Sequence, residues 1–95
     1  ETPWSRAGKS YDARRDARGR VMAPLRQYAR NRGWALRENI DDARFVLKTP
    51  KGELLVPLGA DRVKLGSRWI TMPNIVSAVG TEPYLPASFL ESEGL

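Results

Sequence analysis

The sequence predicts an α+β domain, a small antiparallel sheet of meander and hairpin strands packed with one or two short helices. Three observations predict it. A chain of 95 residues is the size of a single core. Apolar residues alternate with polar ones from Trp34 to Met72, and turn signals break the alternation into short pieces. Two proline-led segments, one beginning at Pro24 and one at Pro86, are each closed by a glycine and read as short helices.

Residues 1–18 read as a basic N-terminal arm or tail, and residues 19–95 as a single α+β domain. Asp12 and Asp16 stand four residues apart, as do Arg14 and Arg18, which suits a solvated helical turn. Trp4 lies outside the core pattern and is expected to make an arm contact. The first firm element runs from Pro24 to Gly33. Proline suits the first helical position, Leu25, Tyr28 and Ala29 share one face, and Gly33 supplies a left-handed stop. Arg32 lies near the C-terminal end, where the helix dipole favours positive charge.

Beyond the helix the period changes to two. Trp34–Leu36 and Arg44–Lys48 read as strands on either side of a polar turn at residues 38–42. Thr49–Gly52 turns the chain into Glu53–Leu58, with Leu54, Val56 and Leu58 on one face and Pro57 near a strand end. Residues 62–65 point Val63 and Leu65 inward, and Gly66–Ser67 makes a tight turn into Trp69–Met72. Residues 73–80 read as a loosely apolar connector, and residues 84–91 as a strand running into a second helix. Trp34 and Trp69 are expected to plug the core, because aromatic side chains supply large buried area.

Composition excludes whole classes of chemistry. The chain has neither histidine nor cysteine, so zinc fingers, thiol catalysis, Ser-His-Asp triads and disulfide frameworks are ruled out. No metal or cofactor is expected. Asp41 and Asp42 are adjacent on a turn, where neighbouring side chains diverge, and they do not make a hydrolytic dyad. No apolar run approaches the roughly 20 residues of a membrane-spanning helix. The chain opens at Glu1, which leaves room for a removed signal peptide. A non-enzyme is the expectation.

Charge is the clearest functional signal. Residues 1–50 carry twelve Lys/Arg against six Asp/Glu, while residues 51–95 carry four against five. Arg14, Arg15, Arg18, Arg20, Arg26, Arg30 and Arg32 crowd into nineteen residues and form the candidate surface for an anionic partner. Trp4, Trp34 and Trp69 are the candidate aromatic contacts. An exposed tryptophan beside Arg26 or Arg30 would stack on sugar or base rings with cationic help.

Residues 19–33 and 80–94 share a layout. Each starts at a glycine (Gly19, Gly80), continues through a short extended stretch to a proline (Pro24, Pro86), and enters a helix closed by glycine (Gly33, Gly94). The run Gly19–Arg26, then Gly33–Trp34, the meander with its turn at Gly66, and Tyr84–Pro86 followed by Phe89–Leu90 resembles the copper amine oxidase N-terminal-like domain, or stalk domain. Ala23, the placement of Trp34 directly after Gly33, and Ala87–Ser88 depart from the usual pattern. The resemblance implies a stalk-like domain of an exported bacterial protein, without copper, in the periplasm, cell wall or secreted space. The function expected is then a non-catalytic binding or assembly module of the cell envelope, engaging a partner protein or an anionic wall polymer. Self-association by exchange of terminal elements is a corollary. The alternative is a nucleic-acid-binding protein, cytoplasmic in that case, that uses the Arg-rich segment 14–32.

Overall fold

Residues 2–95 are described by the computed structural model. In chain order they form β1 (Thr2–Arg6), β2 (Lys9–Arg15), β3 (Val21–Pro24), α1 (Leu25–Arg32), β4 (Leu36–Asn39), β5 (Arg44–Thr49) and β6 (Gly52–Pro57). There follow β7 (Arg62–Leu65), β8 (Arg68–Thr71), β9 (Ser77–Val79), β10 (Glu82–Pro86) and α2 (Ala87–Ser92). The described strands make two antiparallel five-stranded sheets, ordered β1-β2-β3-β10-β9 and β4-β5-β6-β7-β8, and their buried residues form one core. The α+β class is as the sequence predicts.

The expected arm or tail is ordered and docks on the body. Residues 2–15 are a hairpin integral to the first sheet, with Trp4 opposite Tyr11 and with Arg14 and Arg15 of β2 opposite Met22 and Val21 of β3. Its turn is Ala7–Gly8, both at positive φ (53° and 78°), the geometry that matches strand twist in a two-residue hairpin. Tyr11 and Ala13 are buried while Asp12 and Arg14 face out, so the working period here is two and the i,i+4 charge spacing is incidental. Glu1, the first residue of that expected arm, lies outside the described residues.

Asp16 fixes the β2–β3 turn. One carboxylate oxygen accepts the backbone N–H groups of Arg18 and Arg20, each at 2.9 Å, and the other accepts the Arg20 guanidinium at 3.1 Å. The chain then passes straight from β3 into α1, which buries Leu25, Tyr28 and Ala29 and stops at Gly33 with φ 72°. No residue of α1 caps its own N-terminus; instead Glu82 of β10 accepts the Arg26 backbone N–H.

The repeated layout has a geometric counterpart. β3 and β10 pair so that Met22 faces Pro86, Ala23 faces Leu85 and Pro24 faces Tyr84. Exchanging the two strands maps this register onto itself about the Ala23–Leu85 pair. Each strand runs through its proline into a helix, and the closing glycines, Gly33 and Gly94, adopt φ 72° and 69°. The second sheet is inserted between the two units as an uninterrupted meander. The expected connector at residues 73–80 contains β9, a three-residue strand that pairs with β10.

Trp4 is a core residue rather than an arm contact. Its ring lies 5.4 Å from Tyr11 and 5.7 Å from Tyr28, and its indole N–H donates to Glu91 at 3.0 Å. Tyr28 is fully buried at the centre, with Trp34 packed edge-on at 6.0 Å. Its hydroxyl donates to the Leu95 carbonyl and accepts from Arg6 Nε at 3.1 Å and Arg32 Nη2 at 2.8 Å. Trp34 is half-buried against this cluster. Trp69 corrects the other expectation, because it is 52% exposed on the face of the second sheet away from the core.

Two carboxylates give stability opposite pH dependences. Backbone N–H donation from Arg20, with that of Arg18 and the Arg20 side chain, outweighs desolvation and holds Asp16 below the usual range. Desolvation pushes Glu82 up, against the N–H groups of Arg26 and Gln27 and the charge of Arg26. Asp16 therefore contributes stability above its unfolded pKa that is lost as pH falls through its lowered folded value. Glu82 contributes stability below its unfolded pKa that is lost as pH rises through its raised one. In urea titrations from about pH 3 to about pH 7, the advantage of wild type over Asp16→Asn is expected to grow with pH, and its standing relative to Glu82→Gln to decline.

Candidate anion-binding surface

The seven candidate arginines do not form one patch. Arg20 is bound to Asp16 at 3.1 Å. Arg26 donates to the Thr81 carbonyl, lies 3.6 Å from Glu38 and stacks 5.7 Å from the centre of the Phe45 ring. Arg32 is folded over Tyr28 and Trp34 and donates to the Leu95 carbonyl at 2.9 Å. These three belong to the architecture. Arg14, Arg15, Arg18 and Arg30 face solvent, with Arg15 donating one N–H to the Gly19 carbonyl. Of the candidate aromatic contacts, Trp4 and Trp34 are committed to the tyrosine cluster. Of the three, Trp69 is the exposed one, at 52%.

Trp69 belongs to a surface assembled by strand register. In the second sheet Phe45, Leu47, Leu54, Val56, Val63 and Leu65 point inward, so the alternate residues face out. The pairings Arg37–Val46, Val46–Leu55, Leu55–Lys64 and Lys64–Trp69 run in one line across all five strands. At a spacing of about 4.8 Å per strand the line is about 19 Å long. It begins and ends with a cation and an aromatic ring, and half-buried Val46 and Leu55 form an apolar saddle between them. Arg62 and Lys64 sit over the Trp69 ring, 5.4 and 5.8 Å from its centre. Arg44 and Lys48 flank the line on β5.

The charge on this face is poorly cancelled. Arg37 lies 3.9 Å from Glu53 and Arg44 lies 3.4 Å from Asp42, both exposed pairs of the kind worth little in water. Among the described residues Lys48, Arg62 and Lys64 have no carboxylate within 4.0 Å. The surface therefore offers a half-exposed ring with two cations close to it, an apolar strip, and further cations beyond it. That combination can hold a ligand with ring planes and repeated negative charge. Among the described residues no group of three or more Asp or Glu converges as a metal site, and no helix is long and apolar enough to cross a membrane.

Sequence reasoning placed the cations of interest in residues 14–32 and missed Arg37, Arg44, Lys48, Arg62 and Lys64. The available signal was register. A two-residue turn at Gly66–Ser67 pairs Leu65 with Arg68, which puts Trp69 beside outward Lys64. Comparison of the chain with protein-family models, curated proteins and solved structures found no match.

Proposed function

We propose that this chain is a non-catalytic binding module that engages an anionic partner across the outer face of its second sheet. The single observation that carries the reading is the cross-strand line from Arg37 to Trp69, ending in a ring with Arg62 and Lys64 5.4 and 5.8 Å from its centre. The resemblance to stalk domains adds the setting, an assembly role in the bacterial envelope with an anionic wall polymer or an acidic partner protein as ligand. Exchange of the β1–β2 hairpin between copies belongs to the same proposal, and a light-scattering mass equal to one chain at all concentrations removes it.

The test is a titration with a phosphate-bearing wall polymer, comparing wild type with Trp69→Ala and Lys64→Glu. Both positions face solvent or lie half-open, so the fold should survive. Each variant is expected to weaken binding by about tenfold or more, and equal affinity for all three proteins overturns the reading. The second reading, nucleic-acid binding, is favoured by outward-facing Arg14, Arg18 and Arg30. It requires affinity for a random oligonucleotide to fall steeply between about 50 and about 200 mM salt, and to respond to Arg14→Ala, Arg18→Ala and Arg30→Ala rather than to Trp69→Ala.

A further inference from the structure

The first sheet carries a separate recess, none of whose lining residues belongs to the second-sheet line. On the first sheet Arg14 of β2 stands opposite Met22 of β3, with Tyr84 of β10 two residues along from Met22's partner Pro86, and residues of the β8–β9 loop line the same recess. The Asn74 amide ties that loop down by donating to Asp16 at 2.7 Å. Ile75 and Val79, which are 61% and 51% exposed, form the apolar wall. Arg14, its guanidinium carbon 6.0 Å from the centre of the Tyr84 ring, and Arg15 form the charged rim.

Size and charge together select the occupant. The recess holds about 230 Å³, below the roughly 300–1,000 Å³ of sites for whole drug-sized ligands but above the roughly 150 Å³ that admits a benzene. It suits one amino-acid residue. Asp16, the one acid on its wall, has both oxygens occupied and its charge met by Arg20, so it latches the loop rather than repelling an anion. A guanidinium beside an apolar floor fits a group that is greasy at one end and carboxylate at the other.

We propose that this recess captures the C-terminal residue of a partner polypeptide, seating an aliphatic or aromatic side chain against Met22, Tyr84, Ile75 and Val79 and its α-carboxylate on Arg14, with Arg15 in support. The site is independent of the second-sheet surface, and substitutions here should leave binding at Trp69 unchanged.

The test uses acetylated tripeptides ending in Leu or Phe, each as the free acid and as the C-terminal amide, followed by NMR shifts of Val79 and Ile75 methyls. The free acids are expected to bind at least about tenfold more tightly than the amides, and Arg14→Gln to erase that difference. Ile75→Ser should weaken both forms. Equal affinity of acid and amide, or shifts confined to other surfaces, overturns the proposal. A simple carboxylic acid such as hydrocinnamate binding as tightly as the peptides also overturns it, because the occupant would then be a free organic acid.

Discussion

Removal of residues 1–18 is expected to abolish cooperative folding. The segment supplies two of five strands in the first sheet and three core side chains, Trp4, Tyr11 and Ala13. The two aromatic rings alone bury on the order of 350 Å², worth about 9 kcal/mol as an upper figure. Total stability for a domain of this length is about 5–15 kcal/mol, so the loss is comparable with the whole. The truncated chain would also bare the β3 edge and leave the Arg6 contact to Tyr28 unmade. Circular dichroism melts and amide dispersion in NMR read the outcome directly. A truncated protein that melts at the wild-type temperature would refute the placement of the hairpin in the core.

Tyr28→Ala is expected to cost about 3–5 kcal/mol, the range for deleting a fully buried aromatic ring. Tyr28→Phe separates the ring from its hydroxyl. The phenylalanine keeps contact with Trp4, Tyr11 and Trp34 but leaves Arg6 Nε and one Arg32 N–H without that acceptor. The Leu95 carbonyl keeps its bond from Arg32, so it is not orphaned. A loss of about 2 kcal/mol follows, close to half that of the alanine variant. Urea midpoints of the three proteins at constant slope measure both numbers. If Tyr28→Phe matches wild type, the hydroxyl contributes no net stability and its two donors, Arg6 and Arg32, are served by water.

The parts of the fold that were legible in the sequence are those where local chemistry speaks alone. Pro24 and Gly33 mark the ends of α1 because their backbone preferences have one cheap use at those places. The meander from β5 to β8 could be read because its turns carry Pro, Gly and Ser between alternating strands. The first hairpin was hidden by Ala7. Its left-handed φ of 53° is a conformation seldom adopted by alanine, so the turn lacks the usual Asn-Gly or Asp-Gly signature. β9 was hidden by its brevity. The candidate surface was hidden for a different reason: clustering in sequence is not clustering in space once strands place neighbours on opposite faces. Arg20, Arg26 and Arg32 are engaged by Asp16, Phe45 and Tyr28, whereas Arg37, Lys64 and Trp69, distant in the chain, line up across the sheet.

The insertion of β4–β8 between the two proline-led units has a consequence for synthesis. By the time Thr71 leaves the ribosome, every ladder partner of the second sheet has been made. β3 emerges early but waits for β10, more than fifty residues later, before its second edge is closed. The nascent chain should therefore acquire its central meander first and seal the other sheet only when the last strand arrives. Until then the half-built layer, with Trp4, Tyr11 and Tyr28 uncovered, is the part that a holding chaperone would recognise.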